Sequence, residues 1–138
     1  MIHIVVAAHA DLAEGLVHTA ETITGPAEGL HAVSLLPEDS PERFAEKLSA
    51  VLETIAGQET LILVDLFGGT PFNVAARRVL PGRVECVSGA NLPMLLEAIL
   101  AREGVSLAEL TESIAQAGRE SVRNVGALLG GRGEAVTR

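Results

Sequence analysis

The chain has 138 residues, a length typical of a single domain with a substantial buried core. Its net charge of −8 and aromatic content of 2% disfavour binding to nucleic acid or to an anionic membrane surface, since an acidic surface repels phosphates and single strands are usually held by aromatic stacking. The one cysteine excludes an internal disulfide bond, and no apolar run reaches the roughly 18 residues that span a bilayer, so we expect a cytoplasmic protein.

The first half of the chain alternates between short apolar runs, typical of buried strands, and patterns with helical spacing. Strands are predicted over 2–8 and 30–36, and the first helix over 11–23. Ser40 and Pro41 then have the residue types that favour the N-cap and first position of a second helix, which Gly57 ends.

The second half continues the alternation. Strands are predicted over 60–65 and 83–88, with helices over 71–80, 93–102 and from the capping box of Ser106 and Glu109 to Gly118. Thr70 followed by Pro71 predicts the start of the third helix.

The C-terminal part has a weaker pattern. Residues 119–125 could continue the last helix or form a short strand. Residues 130–138 are polar and rich in glycine, which predicts a frayed tail after a domain that covers 1–129.

Strand–helix alternation with short turns predicts an α/β fold: an open, mostly parallel, doubly wound sheet with helices on both faces. Such sheets bind ligands beyond the carboxyl ends of their strands, at the point where the strand order reverses. The turns that follow the strands are therefore the places to search for a site.

Three features fall in these turns. His9 follows the first strand, Asp65 ends the third, and Gly68, Gly69 and Thr70 lead into a helix N-terminus. If the strands have the common order 2-1-3-4, His9 and Asp65 lie side by side. A carboxylate that accepts the Nδ1 proton leaves Nε2 as a free lone pair, while the glycine turn, the hydroxyl and the helix N-terminus would hold an anion. We interpret these residues as a histidine nucleophile, a carboxylate that orients it and a phosphate cradle.

Three stretches, "HADLAEG" after a strand, "LVDLFGGTPFN" at 63–73 and "GANLPMLLEA" at 89–98, resemble the IIA component of the mannose-family sugar phosphotransferase system. The resemblance covers residues 1 to 125. It implies that His9 receives phosphate from the histidine phosphocarrier protein HPr and passes it to a histidine of a IIB partner on a separate chain, with Asp65 orienting the ring and Thr70 beside the phosphoryl group. It implies no cofactor or metal, and only indirect contact with the membrane through a permease complex.

The resemblance also implies a homodimer in which a C-terminal strand, matching 119–125, is exchanged between subunits and runs antiparallel at the sheet edge. The chain departs from the family pattern at Ala8, where Ser or Thr is frequent, and at Ala10, where Gly is frequent. These changes alter the loop around the nucleophile.

Two of the three phenylalanines flank the glycine turn. We expect Phe67 to be exposed for docking and Phe72 to pack in the core. His9 and Asp11 alone are a poor metal pair, and Asp11 is better interpreted as the N-cap of the first helix.

Alternative functions remain open at this point. A phosphorylated His9 could control the binding of a regulator, or the chain could be the phosphoryl-donating subunit of a dihydroxyacetone kinase. A receiver domain phosphorylated on Asp65 would need an acidic pair after the first strand, where the sequence has Ala7 and Ala8.

Overall fold

The computed structural model describes residues 1–130, and its centre is a sheet of four parallel strands. The strands are β1 His3–His9, β2 Leu30–Leu35, β3 Thr60–Val64 and β4 Val84–Ser88. Their order is β2-β1-β3-β4, which confirms the predicted order and places β1 beside β3 at the centre. All five residues of β3 and the five inner residues of β1 are buried, as continuous apolar runs in a parallel sheet predict.

Six helices accompany the sheet in the described part of the chain. They are α1 Leu12–Thr24, α2 Pro41–Thr54, α3 Gly69–Ala76, α4 Leu92–Ala101, α5 Leu107–Glu120 and α6 Val125–Gly130. One hydrophobic cluster joins α1, α4 and α5 to one face of the sheet, and a second joins α2 and α3 to the other face. The prediction of helices on both faces is confirmed.

Side-chain caps fix the starts of two helices as predicted. The Ser40 hydroxyl accepts a hydrogen bond from the Arg43 N–H at 3.0 Å, with Pro41 in the first turn. Ser106 and Glu109 form the complete reciprocal capping box. Asp11 occupies the N-cap position of α1, but its side chain makes no capping hydrogen bond.

Helix α5 does not halt at Gly118 but continues to Glu120. Gly118 is buried against α4, where a Cβ atom would lie 2.7 Å from Cε of Met94. The glycine therefore allows close packing of two helices and is not a stop signal.

The structure does not show a strand over residues 119–125. Arg119 and Glu120 complete α5, residues 121–124 lie in neither helix nor strand, and Val125 begins α6. A strand is stable only when its backbone groups pair with a neighbouring strand, and this segment has no such neighbour within residues 1–130. The predicted tail lies almost entirely outside the described residues.

Within residues 1–130, none of the helices combines the length and the apolarity that crossing a membrane requires.

Candidate active site

His9 lies at the carboxyl end of the central strand β1, in register with Leu35 of β2. The next residue, Ala10, has a φ of 53°, in the left-handed region, and its N–H donates to the Leu35 carbonyl at 2.8 Å. Asp65 directly follows β3. Because β1 and β3 are parallel neighbours, their carboxyl ends bring His9 and Asp65 to the same edge, 56 residues apart in the chain.

One carboxylate oxygen of Asp65 holds His9 in two ways. Oδ2 accepts from the His9 backbone N–H at 3.0 Å and lies 2.9 Å from the ring Nδ1. The backbone contact fixes the start of the side chain, and the ring contact fixes its rotation. The imidazole is therefore held at two points by one acid.

This geometry decides which ring nitrogen faces outward. An ionised carboxylate can only accept hydrogen bonds, so the proton between the two groups belongs on Nδ1 of His9. Nε2 then carries the lone pair. The His9 side chain is 44% exposed and that of Asp65 9%, so the ring is accessible to a reactant while the carboxylate lies behind it.

The contacts with His9 keep Asp65 ionised. Burial by itself would raise the pKa of Asp65, but the hydrogen bonds from the His9 backbone and ring, together with the charge of the ring, outweigh burial and lower the pKa. The second carboxylate oxygen, Oδ1, is buried and has no hydrogen-bond partner within residues 1–130. The interaction of Asp65 is thus concentrated on His9.

The glycine turn lies directly against the His9 ring. A Cβ atom at Gly69 would lie 3.7 Å from Cε1 of His9, so the backbone of the turn comes close to the imidazole. Gly68 and Gly69 have φ values of 81° and 84°, a backbone conformation that residues other than glycine rarely adopt. This part of the predicted cradle is adjacent to His9.

The predicted start of helix α3 is wrong by two residues, because Gly68 and not Thr70 occupies the N-cap position. The two left-handed glycines turn the chain earlier than the Thr70–Pro71 pair predicts. Thr70 lies instead in the first turn of the helix, partly buried. The N-terminus of α3 still lies beside the His9 ring, as the 3.7 Å approach of Gly69 shows.

The loop after β2 forms a wall of the site that the sequence analysis missed. A shallow cavity of about 290 Å³ is lined by His9 and Ala10 on one side and by Leu35, Leu36, Pro37 and Asp39 on the other. Asp39 Oδ2 accepts from the Leu36 N–H and from Lys47 Nζ at 2.8 Å, and Lys47 also donates to the Ser34 carbonyl. Lys47 and Asp39 thus fix this loop beside His9. The sequence "LPEDS" predicts a turn there, but no spacing rule connects it to Lys47.

Exposed apolar side chains follow the carboxyl ends of strands at the same edge of the sheet as His9. They are Leu12 in the first turn of α1 and, in the turns after β2 and β3, Leu36, Leu66 and Phe67, and we call these four residues the apolar collar. Phe67 is 82% exposed, and its ring centroid lies 4.7 Å from that of Phe72. Phe72 is partly buried and packs against the core cluster, so the expected exposure of Phe67 and core packing of Phe72 are confirmed, while docking at Phe67 stays a prediction.

The other histidines lie away from this site, although His3 shares strand β1 with His9. His3 Nδ1 and His31 Nε2 are 3.1 Å apart at the amino-terminal part of β1 and β2. His18 is exposed on α1. Among residues 1–130, no group of three or more His, Cys, Asp or Glu side chains is placed to hold a metal ion.

The arrangement suits nucleophilic chemistry on His9 better than phosphorylation of Asp65. The exposed nitrogen belongs to His9, whereas Asp65 is nearly buried and already accepts two hydrogen bonds. Ala7 and Ala8, the positions where a receiver domain needs acids, are fully buried in the sheet.

Comparison with known proteins gives consistent matches. Residues 3–115 match the family profile described as "PTS system fructose IIA component". The chain is 37% identical over 125 residues to the mannose-specific EIIAB component of Escherichia coli, which covers 88% of this chain and 39% of that protein. It therefore spans about two fifths of the length of that relative. It is 32% identical over 123 residues to the fructose-specific EIIA component of Bacillus subtilis, covering 88% of this chain and 84% of the relative.

Solved structures similar to this chain also include IIA proteins of the phosphotransferase system. A mannose/sorbose-specific IIA subunit from Enterococcus faecalis superposes with a TM-score of 0.81 at 32% identity, covering 88% of this chain and 92% of that one. The phosphotransferase system component EIIA of Streptococcus agalactiae gives a TM-score of 0.83 at 28% identity, covering 92% and 99%.

Proposed function

Because this chain belongs to the mannose- and fructose-type IIA family of the sugar phosphotransferase system, we propose that it is a phosphotransferase that carries phosphate on His9 in the cytoplasm. In this proposal His9 accepts the phosphoryl group from HPr and gives it to a histidine of a IIB component. The observation that carries the proposal is the 2.9 Å contact between His9 Nδ1 and Asp65 Oδ2, with the ring itself 44% exposed.

The transfer step follows from the tautomer. The Nε2 lone pair of His9 attacks the phosphorus of the donor phosphohistidine, and a P–N bond forms as the donor P–N bond breaks. The electron pair of the broken bond stays on the donor nitrogen. His9 keeps its Nδ1 proton, so its ring gains positive charge, which the Asp65 carboxylate stabilises at 2.9 Å. The reverse sequence releases the group to the acceptor histidine.

The glycine turn would hold the transferred group. Gly68, Gly69 and Thr70 lie at the N-terminus of α3, where backbone N–H groups have no partner inside the helix and favour an anion. The close approach of Gly69 to the ring, with 3.7 Å between a virtual Cβ and Cε1 of His9, supports contact between this turn and a phosphoryl group on Nε2. We assign the Thr70 hydroxyl as a further donor.

The apolar collar supports a protein as donor and acceptor. A small anionic metabolite would gain little from the exposed Leu66 and Phe67 side chains. A protein surface that covers them would bury apolar area and remove water from around the phosphoryl group as it is transferred.

We also propose that the protein is a homodimer that exchanges C-terminal segments. Helix α6 has no buried residue, and Val122 and Val125 are 79% and 60% exposed. The outer edge of β4 borders a groove of about 540 Å³ between β4, Gly118 and Arg119. A strand from a second subunit paired with this edge would cover both features.

Phosphoryl labelling tests the proposed nucleophile. Purified chain is incubated with labelled phosphoenolpyruvate, the phosphoenolpyruvate-dependent kinase of HPr, and HPr. We expect the wild type to gain one label per chain that is stable to alkali and lost in acid, and the His9→Ala variant to gain none.

The matched control is His18→Ala, which removes an exposed histidine from α1. It should be labelled like the wild type. Label that persists in His9→Ala, or that His18→Ala alone abolishes, would refute the role of His9.

A further inference from the structure

A second cleft lies at the opposite end of the sheet from His9. It has a volume of about 500 Å³, within the range of about 300–1,000 Å³ that small-molecule sites occupy. Its walls are the end of α2 with the residues after it, the residues that follow α3, and the turn before β4. His9 lies at the carboxyl ends of the strands, whereas the cleft borders Thr60 and Val84, the first residues of β3 and β4.

Arginine dominates the charge of this cleft. Arg77, Arg78 and Arg83 line it, with Glu53 as the acidic residue of the lining. The chain has 10 lysines and arginines against 18 acidic residues, so this concentration of positive charge runs against the composition. Within residues 1–130, the ion pairs do not involve any of these three arginines.

The guanidinium groups keep most of their donors available. Arg78 uses one nitrogen to donate to the Ser49 hydroxyl at 2.7 Å, and Arg83 uses one to donate to the Gly57 carbonyl at 3.1 Å. A guanidinium has five N–H donors in a planar fork that matches phosphate and carboxylate groups. The two hydrogen bonds therefore orient these side chains and leave the other N–H donors of each guanidinium available for a ligand.

Stabilisation of helix ends accounts for only part of this charge. Arg77 is the C-cap residue of α3, where a cation is favourable, but a helix C-terminus carries only about half a negative charge. Arg83 lies in the turn before β4 and belongs to neither helix. That turn is rigid, since Leu80 and Val84 exchange two backbone hydrogen bonds and the Arg83 carbonyl accepts from Thr60.

Most of the remaining lining is apolar, with Gln58 and Thr60 as its other polar side chains. Leu52 and Ile55 are buried, Val84 is partly buried, and Leu80 is 59% exposed at the rim. A ligand for this cleft would combine an anionic group for the guanidiniums with an apolar body for this floor.

We propose that this cleft is a binding site for a small organic phosphate, distinct from the site around His9. The phosphate lies among Arg77, Arg78 and Arg83, and the carbon skeleton lies on Leu52, Ile55 and Val84. β3 and α3 both extend from this cleft to the His9 edge, since β3 ends before Asp65 and α3 begins at the glycine turn.

Titration with phenyl phosphate tests the site. The full chain, labelled with ¹⁵N, is followed by amide chemical shifts at constant ionic strength, with inorganic phosphate and phenol as comparison probes. We expect saturable shifts at residues 56–58 and 77–84, tighter binding of phenyl phosphate than of inorganic phosphate, and none of phenol. The same shifts should occur in His9→Ala, which separates this site from the proposed phosphoryl carrier.

Variants assign the binding to the arginines. The double variant Arg78→Gln/Arg83→Gln should weaken phenyl phosphate binding at least about tenfold, because each charged hydrogen-bond pair contributes substantially. The single variant Arg77→Gln should also weaken phenyl phosphate binding. Because the Arg77 side chain makes no hydrogen bond within residues 1–130, its loss should leave the fold unchanged. Arg43→Gln, which removes an exposed arginine of α2 outside the cleft, is the matched control and should bind normally.

Any of the following would overturn the proposal: no saturable shift, equal binding by the wild type and the cleft variants, or shifts confined to His9 and residues 68–70. Binding of an acidic protein without binding of phenyl phosphate would also overturn it, since the cleft would then be a docking surface.

Discussion

At the scale of single residues, the site depends on one oxygen atom. Oδ2 of Asp65 accepts from both the backbone and the ring of His9, so the carboxylate sets the rotation and the tautomer of the imidazole together. An amide oxygen could occupy the same place without the negative charge. This difference separates the electrostatic contribution of Asp65 from its geometric one.

We predict that Asp65→Asn slows phosphoryl transfer to His9 by about 10²-fold, since the ring loses the charge that stabilises it as the P–N bond forms. The variant should still fold, because asparagine keeps the shape and the accepting oxygen, but the free energy of unfolding at neutral pH should fall modestly, since the charge whose contacts lower the pKa of Asp65 is lost. Rapid-quench labelling by HPr gives the rate, and urea unfolding gives the stability. Transfer at the wild-type rate would remove Asp65 from the mechanism.

The sequence predicted His9 and Asp65 because both follow apolar runs, and the carboxyl ends of parallel strands share an edge. It did not predict Lys47 and Asp39, which fix the loop beside His9, since their contact depends on how α2 packs on β2. The left-handed conformation of Ala10 was also not predicted, because alanine, unlike glycine, does not indicate such a conformation in a sequence.

At the scale of elements, serine caps predicted helix starts correctly, whereas the residues beside glycines misled the prediction of helix bounds. Ser40 and Ser106 cap their helices as predicted because their hydroxyls accept from the backbone locally. Thr70 does not, because the adjacent left-handed glycines start the turn earlier. Gly118 misled the prediction of a helix end, since its role is set by Met94 on another helix.

A pair of histidines joins the amino-terminal ends of β1 and β2. His3 Nδ1 and His31 Nε2 lie 3.1 Å apart, and a hydrogen bond between them requires at least one neutral ring. Burial, then the positive charges of the N-terminus and Arg102, lower the pKa of His3. Burial, then the charge of His3, lower the pKa of His31.

These shifts have a definite sign for stability. Because both pKa values lie below the ordinary value of 6.5, the unfolded chain binds more protons than the folded one as the pH falls below about 6.5. We predict that the free energy of unfolding is highest above this pH and decreases as the pH is lowered through the folded-state values. Urea unfolding of the wild type between about pH 7 and about pH 5 measures the decrease.

The variant His31→Gln should reduce that decrease, since glutamine can bond to His3 without titrating. His18→Gln, on the exposed side of α1, is the control and should retain the wild-type dependence. An identical pH dependence in His31→Gln would show that this pair does not govern the acid response.

At the scale of the whole molecule, the order of strands was predictable and the C-terminal segment was not. Strand–helix alternation restricts the sheet to few topologies, and the observed order is among the commonest. The segment after α5 has no such restriction within one chain. Its exposed valines are one basis of the proposed exchange with a second subunit.

We predict a dimer with about twice the 14.3 kDa mass of one chain, measured by light scattering after size exclusion. Val122→Asp together with Val125→Asp should shift the protein to the monomer, because charges would have to be buried at the interface. Ile23→Asp, at a position of α1 that is 59% exposed, should remain dimeric. A monomeric wild type would contradict the proposed exchange.

The left-handed backbone at Ala10 limits how the neighbourhood of His9 can evolve. A residue other than glycine in this conformation costs roughly 1–2 kcal/mol, and branched side chains cost more. Although its side chain is exposed, the position therefore accepts a narrow range of residues. The N–H of Ala10 donates to the Leu35 carbonyl directly after His9, so a substitution that disfavours this backbone would also disturb where β1 ends and the imidazole begins.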